Sequence, residues 1–439
     1  MSSNQKLFSK RWWVQVWIIL GIVTILLSLI TCHNLPMEAE QNPHLQLTQT
    51  QQKLLHQQNS FGFTLFRELD KHHPGDNLVF SPLSVSMCLG MMLNGAAGET
   101  FQAMRQTLGF EELIPGEINT SYRNLLDQIH SADTGVDLHL ANALWIDTTF
   151  FQGAWQIKEN FLNTCQSCFD AEVHELNFHQ PEAIEMINHW FTQQTDGELT
   201  GTLDEIKGTE VMFITNALYF LARWTHPFDP FVTRKAPFYL QDGGTMQCAM
   251  MHALEDFLYY ETQTCQIVDL PYGDGYFCMT ILLPKAGTST HTLIDEMTAE
   301  QWHHWTDALM DYHVALYVPR FQINQNTSLT DPLSGLGMDI AFDYKQADFS
   351  NLCSRCNCMF SISRVLHQTV LRVNEEGTLA ASGTIGGYRY IGARDVWDVS
   401  MIINRPFVCV IRERSTNTIL FLAKVMMPTA LAPPGSSAG

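Results

Sequence analysis

Basic residues are scarce in this chain. Its 439 residues include 45 Asp and Glu but only 25 Lys and Arg, so the formal net charge is −20. No Lys- or Arg-rich run occurs, which argues against a nucleic-acid partner. The acidic balance otherwise indicates only a well-hydrated surface.

The motifs of common enzyme classes are also missing. The sequence contains no G-x-S-x-G, no H-E-x-x-H and no P-loop. The stretch HELNFH (174–179) has the wrong spacing for two His on one helical face. His303, His304 and His313 fall on a predicted helix and the following strand, where we interpret them as solvated side chains. We therefore expect no enzyme activity, no cofactor and no metal.

One long apolar run lies near the N-terminus. It covers residues 12–31, follows three basic residues and is long enough to span a bilayer. It ends in LITC (29–32), which resembles the bacterial lipobox, although Thr31 departs from the usual small residue. An uncleaved anchor, a lipoprotein lipidated at Cys32 and a cleaved signal stay open. All three place the remaining chain outside the cytoplasm.

Composition divides the chain into four segments. We expect a signal or anchor at 1–32, a Gln-rich linker at 33–57 that becomes helical near Leu54, one large domain at 58–430 and a disordered tail at 431–439. There is no internal repeat. Membrane contact is therefore expected only through the N-terminal segment.

Ten cysteines remain besides Cys32. Two C-x-x-C spacings occur, Cys165/Cys168 and Cys353/Cys356, with Cys358 close behind the second. The gap between them is far longer than in zinc knuckles, so free or bridged thiols are favoured over a metal site. Cys88 and Cys409 lie in apolar runs and are predicted to be core residues.

The predicted domain mixes helices and strands without βαβ alternation, which indicates an α+β protein. The predicted helices lie in 81–109 (two of them), 181–197 and 292–310. The predicted strands are 138–146, 211–224, 256–262, 276–284, 313–323, 407–413 and 419–426. Several strands are apolar on both faces, so at least one sheet is covered on both sides.

The segment EEGTLAASGT (375–384) reads as a strand deprived of large side chains. Its alternate residues are Thr378, Ala380, Ser382 and Thr384, all of them small. A strand that enters a preformed sheet needs this pattern, because every second residue must point into a packed core. A disordered linker would not need this alternation.

At this point the sequence resembles the serpin family over about residues 58–430. The motifs occur in the family's order: NLVFSPLSVSMCLGMMLNGAAGET (77–100), TNALYFLARW (215–224), LGMDIAFDYKQADFS (336–350), VNEEGTLAAS (373–382) and IINRPFVCVI (402–411). The resemblance implies a serpin fold with three β-sheets, eight to nine helices, a large central sheet and an exposed reactive loop. It also implies that a target serine protease cleaves this loop, which then inserts into the central sheet and traps the acyl-enzyme.

The resemblance carries over residue by residue. The loop hinge would comprise Glu375, Glu376, Gly377, Thr378, Ala380, Ala381, Ser382 and Thr384. The polar cluster where the central strands part would comprise Ser81, Ser84, Asn216 and His367, and Trp224 would lie under the top of the central sheet near Glu375. Leu379 departs from a position that is often Glu, and Gly386–Gly387 are flexible where a strand is expected.

The attacked bond follows from the family register. Counting along the loop gives Ile391–Gly392, which would suit elastase-like or chymotrypsin-like proteases. The loop is longer than usual, so Arg394–Asp395 and a trypsin-like target stay open, with Arg389 third.

We interpret the sequence as that of a monomeric, extracytoplasmic protease inhibitor. Two rivals remain. One is a non-inhibitory serpin that serves as a carrier or binding module, and the other is a redox- or metal-responsive serpin regulated by its C-x-x-C cysteines.

Overall fold

The first helix begins with a complete capping box. The computed structural model describes residues 45, 47–149, 156–198, 203–354, 360–378 and 397–429. Thr48 Oγ1 accepts a hydrogen bond from the Gln51 amide, and Gln51 Oε1 accepts one from the Thr48 amide at 2.8 Å. Helix α1 therefore starts at Gln49, earlier than the predicted helical onset near Leu54.

Nine helical segments occur among the described residues. Helix α2 starts at Pro82, one residue after Ser81, whose Oγ caps the Ser84 amide. Helix α9 contains a π-helical turn, at which Gly337 has a φ of 106°. The segments are α1 Gln49–His72, α2 Pro82–Leu93, α3 Gly98–Thr107, α4 Pro115–Ala132, α5 Glu159–Phe169, α6 Pro181–Gln194, α7 Thr290–Glu296, α8 Ala299–Asp307, and α9 Thr330–Leu333 continued by Ser334–Met338 and Asp339–Phe342.

The described strands form three sheets. They are β1 Leu78–Phe80, β2 Val136–Asp147, β3 Gln156–Ile157, β4 Ala171–Leu176, β5 Met212–Arg223, β6 Arg234–Tyr239, β7 Thr245–Glu261, β8 Cys265–Tyr272, β9 Phe277–Pro284, β10 Met310–Pro319, β11 Phe321–Ser328, β12 Cys353–Ser354, β13 Arg364–Val373, β14 Gly377–Thr378, β15 Val399–Ile402, β16 Phe407–Glu413 and β17 Ile419–Val425.

A six-stranded central sheet has the order β11-β13-β14-β5-β2-β4. A nine-stranded sheet runs β1-β17-β16-β9-β8-β7-β10-β15, with β6 added to β7, and β12 pairs with β3. Among the described residues, this architecture confirms the predicted α+β class, the three sheets and the eight to nine helices.

Both faces of the central sheet are covered, as the apolar strands predict. Helix α2 is buried along its whole length on one face, within the main core. On the other face, Ile187 and Trp190 of α6 belong to an apolar cluster that includes Phe213 of β5 and Leu366 of β13. Helix α6 thus packs on β5 and on its neighbour β2.

Two predicted elements are divided in the structure. The predicted helix 292–310 is two helices, because Thr298 accepts a hydrogen bond from Gln301 N and starts α8. The predicted strand 313–323 is also two strands, β10 and β11, which belong to different sheets and meet at Arg320. Both breaks occur where apolar periodicity alone continues across a turn.

Among the described residues no helix is both long and apolar enough to cross a bilayer. The predicted span 12–31 and Cys32 lie outside the described residues.

Candidate functional site: the hinge and the opening of the central sheet

Strands β5 and β13 meet along only part of their length. Residues 364–369 of β13 pair in parallel with 213–218 of β5, and we call this line of contact the seam. Beyond the seam the two strands part, and β14 enters between them. Thr378 pairs antiparallel with Val373 of β13 and with Ala222 of β5. Two hinge residues therefore already occupy the place of an additional strand.

Gly377 is required by the local geometry. Its φ is 156°, and a Cβ built on it would lie 2.0 Å from the carbonyl oxygen of Ala222 and 2.7 Å from Arg223 Cα. These neighbours are backbone atoms, so no side-chain rotation relieves the overlap. Only glycine fits where the hinge enters the sheet.

Thr378 faces the core. Its Oγ1 lies 2.5 Å from the hydroxyl of Tyr272, and both residues are fully buried. Tyr272 stacks on Trp224, with ring centroids 4.3 Å apart. Burial raises the pKa of Tyr272 well above its usual value, so this hydroxyl stays protonated and can hydrogen-bond Thr378.

Glu375 is held by a buried set of polar contacts. It is 4 % exposed, and its Oε1 accepts hydrogen bonds from Arg320 Nε at 2.7 Å and Thr233 Oγ1 at 2.6 Å. Its carbonyl accepts from Phe228 N at 2.9 Å. The ion pair with Arg320 ties the start of the hinge to the junction of β10 and β11.

The turn before β14 is fixed by Asn374 and Trp224. Asn374 Oδ1 accepts from the amides of Glu376 and Gly377, as an Asx turn does. Trp224 Nε1 donates to the Asn374 carbonyl at 2.8 Å, and Trp224 N donates to the Glu376 carbonyl at 2.9 Å. Trp224 therefore lies beside the hinge, where the resemblance places it.

His367 lies at the centre of a polar cluster in the seam. Its Nε2 accepts from Ser81 N at 3.0 Å, so the proton is on Nδ1, which donates to Asn216 Oδ1 at 2.7 Å. Ser84 Oγ donates to the same Asn216 oxygen at 2.6 Å. Burial lowers the pKa of His367 to about 3, which keeps the ring neutral. The structure thus brings together all four polar residues predicted here.

Sequence reasoning missed other members of these clusters. Thr369 Oγ1 lies 2.7 Å from His367 Nε2, and Asn142 Oδ1 accepts from Asn216 Nδ2 at 2.6 Å. A signal for Asn142 was present, since the tripeptide Asn-Ala-Leu occurs in both β2 and β5 and the two Asn are paired. No comparable sequence pattern pointed to Tyr272, Arg320 or Thr233.

The remaining predicted loop residues lie outside the described residues. They are Ala380, Ala381, Ser382, Thr384, Ile391, Gly392, Arg394 and Asp395. The described chain resumes at Trp397, and β15 then pairs in parallel with β10. Asp398 and His313 are joined by two hydrogen bonds, one between Asp398 N and the His313 carbonyl and one between His313 N and Asp398 Oδ2.

The cysteines that the structure describes are buried, half-buried or disulfide-bonded. Cys88 and Cys409 are buried, as predicted, and Cys353 is disulfide-bonded, while Cys165 and Cys168 are free thiols on α5. Burial raises the pKa of Cys165 to about 12. No group of three or more His, Cys, Asp or Glu suited to a metal ion occurs in the described part of the chain. Cys356 and Cys358 lie outside it.

This hinge, seam and sheet arrangement is that of a serpin. The family model "Serpin (serine protease inhibitor)" matches residues 56–428, and the chain belongs to this family. The leukocyte elastase inhibitor of Xenopus laevis is 31% identical over 382 residues, which cover 84% of this chain and 97% of that protein.

Solved structures agree with this assignment. Human thyroxine-binding globulin in complex with its hormone has a TM-score of 0.78 and 29% identity, and the match covers 87% of this chain and 100% of that one. Mouse protein-Z dependent protease inhibitor has a TM-score of 0.77 and 27% identity, with coverage of 86% and 98%. The family is one of protease inhibitors rather than proteases, and its partners are serine proteases.

Proposed function

We propose that this chain is a suicide-substrate inhibitor of a serine protease. The protease serine attacks the carbonyl carbon of the bait residue, the peptide bond breaks, and the new amine departs with the C-terminal part of the loop. The acyl-enzyme is left attached to the N-terminal part. That part then enters the central sheet along the seam and carries the protease with it.

The register of β14 is the observation that supports this proposal. Thr378 already lies between Ala222 and Val373 in antiparallel pairing with both. Continued in the same register, position 380 would arrive between Phe220 and Leu371, 382 between Leu218 and Thr369, and 384 between Asn216 and His367. These last two residues are now paired directly across the seam.

The side of the sheet that each position faces follows from the alternation of a strand. Thr378 faces the core through Tyr272, so positions 380, 382 and 384 would face the core as well. Phe220 and Leu371 have no exposed surface, and a large side chain at 380 would overlap them. Ala380, Ser382 and Thr384 are small enough to enter.

In this proposal the protease attacks the carbonyl carbon of Ile391, and Gly392 carries the amine that departs. The relative from Xenopus laevis is named as an inhibitor of an elastase, which is consistent with an aliphatic bait residue. Arg394–Asp395 and a trypsin-like target remain the alternative. Thyroxine-binding globulin shows that the fold also serves a hormone carrier, but no described cavity or hinge feature of this chain favours that role.

A redox-regulated serpin is less well supported. A reactive thiol needs a lowered pKa and access to solvent. Cys165 is buried with a raised pKa, and only Cys168 of that pair is half-buried. The location outside the cytoplasm, the membrane anchor or lipidation at Cys32 and the monomeric state are part of the proposal and rest on the sequence.

The test is incubation with elastase, chymotrypsin and trypsin, followed by electrophoresis under denaturing conditions. The proposal expects a covalent complex with at least one protease, and mass spectrometry of the released peptide will identify the bond. A protease whose catalytic serine is replaced by alanine is the control and should give no complex. If all three enzymes cleave the loop completely and no complex forms, the proposal is wrong.

A further inference from the structure

Two arginines of β13 contact the segment before β5 on the face opposite the core, and one of them, Arg364, lies in the seam. Arg364, at the end remote from the hinge, makes a bidentate contact with Glu210, with Nη2 to Oε2 at 2.7 Å. Arg372, at the hinge end, contacts Glu198, with Nη2 to Oε2 at 2.7 Å. Arg372 lies beyond the seam, where β14 already separates β13 from β5, so we call only the contact between Arg364 and Glu210 the seam ion pair.

Both glutamates belong to the segment that connects α6 to β5. Glu198 follows α6 closely, and Glu210 precedes β5. The side chains of Arg364 and Glu210 are only 20% and 10% exposed, and the Arg364 guanidinium also lies 5.5 Å from the ring centroid of Phe213. The segment that connects α6 to β5 is thus attached to β13 near its beginning, at Glu198, and near its end, at Glu210.

The contact between Arg364 and Glu210 lies where the proposed loop insertion would separate β13 from β5. Arg364 is paired with Phe213, and the register of β14 would bring position 387 between these two residues. An inserted strand changes the spacing of β5 and β13 from about 4.8 Å to about 9.6 Å. The bidentate geometry between Arg364 and Glu210 cannot survive that change, since such contacts require hydrogen-bond distances at both nitrogens.

We propose that Arg364 and Glu210 are positioning residues that set the rate at which the cleaved loop enters the sheet. This inference rests on the proposed function. The seam ion pair stabilises the closed seam and is lost when the strand enters, so it raises the barrier to insertion. A slow insertion gives the protease more time to hydrolyse the acyl-enzyme and leave.

The experiment uses the full chain and a synthetic peptide with the sequence of residues 378–391. Uptake of the peptide by the uncleaved protein is followed by tryptophan fluorescence and native electrophoresis, without any protease. Arg364→Gln and Glu210→Gln should each accelerate uptake about tenfold, because a partly buried charge-assisted contact no longer has to break. The exchange Arg364→Glu with Glu210→Arg should return the rate toward wild type.

A matched control is Arg123→Gln. Arg123 pairs with Asp170 at 2.9 Å between α4 and the end of α5, away from the seam. This variant should take up peptide at the wild-type rate. The unfolding midpoint of the peptide-loaded protein should not change in the seam variants, because the pair no longer exists there.

The outcomes separate the two proposals. Equal uptake by wild type and all seam variants would overturn the role of the seam ion pair and leave the inhibitor proposal intact. A wild-type chain that neither takes up peptide nor forms a protease complex would overturn both. Arg372→Gln is a second control, because Arg372 pairs with Glu198 where β14 already separates the strands, and this variant should take up peptide at the wild-type rate.

Discussion

Replacing Gly377 by alanine would perturb the hinge at the point where it enters the sheet. The added Cβ would lie 2.0 Å from Ala222 O, far inside van der Waals contact, and at a φ of 156°. Backbone strain of this kind costs about 1–3 kcal/mol. The uncleaved protein can avoid the strain if β14 leaves the sheet.

Leaving the sheet has its own cost. The Thr378–Tyr272 hydrogen bond and the ladder bonds of β14 would be lost, each at about 1 kcal/mol. The cleaved protein has no such escape, because its inserted strand passes through Gly377. We therefore expect Gly377→Ala to destabilise the cleaved protein by about 3 kcal/mol, the upper end of the strain range, and the uncleaved protein by less, because β14 can leave the sheet there.

The assay is chemical unfolding of both forms, before and after loop cleavage, together with the fraction of inhibitor consumed as substrate. That fraction should rise in the variant. Gly208→Ala is the matched control, because a Cβ there meets nothing within 4 Å. Equal destabilisation of the two forms, or an unchanged cleaved form, would refute the reasoning.

Three further predictions follow from the same contacts. Glu375→Gln and Arg320→Gln should each destabilise the uncleaved protein by about 1–3 kcal/mol, and the double variant should lose less than their sum in equilibrium unfolding. The pKa of His367 is about 3 in the folded protein and near 6.5 in the unfolded chain. The stabilisation that its neutral ring gives the fold is therefore complete above pH 6.5 and declines as the pH falls toward 3. Between pH 7 and pH 5, the free energy of unfolding should thus fall by about 2 kcal/mol more in wild type than in His367→Gln. Ala380→Glu should convert the inhibitor into a substrate while Leu379→Glu should still form the complex, because position 379 faces away from the core. Equal effects of these two changes on complex formation would show that the register is wrong.

The hinge could be proposed from the sequence because its information is local, although Ala380, Ser382 and Thr384 lie outside the described residues. A strand alternates with period two, so the small residues at every second position are visible without any tertiary structure. Gly377 could be recognised as a pivot, although its contact with Ala222 could not. The family resemblance supplied Ser81, Ser84, Asn216 and His367, and the structure shows why they belong together.

The partners of Glu375 could not be predicted, for a physical reason. Thr233 and Arg320 are 142 and 55 residues away from it, and they reach it only through the packing of two sheets. Residues 313–323 also look like one apolar strand, although the chain passes from one sheet to the other at Arg320. That change of sheet turns the Arg320 side chain toward Glu375 of the hinge. The apolar periodicity of the sequence does not reveal the change.

The proposed loop insertion requires that the cluster around His367 be satisfied in two arrangements of the same sheet. In the closed seam, His367 Nδ1 donates directly to Asn216 Oδ1. An inserted strand would separate these residues by a second strand spacing, and the position that arrives between them is 384, which is threonine. A hydroxyl can accept from His367 and donate to Asn216 at once, so it can restore both hydrogen bonds.

Thr384→Val tests this explanation, because valine keeps the shape of threonine and removes its hydroxyl. His367 Nδ1 would then lose its acceptor only after insertion, at about 1–3 kcal/mol, while Asn216 Oδ1 would keep the hydrogen bond from Ser84 Oγ. The cleaved protein should be destabilised accordingly, while the uncleaved protein should unfold at the wild-type midpoint. Ser382→Ala serves as the control for a hydroxyl lost at another position of the same face. If cleaved Thr384→Val is as stable as cleaved wild type, then residue 384 does not come to lie between Asn216 and His367.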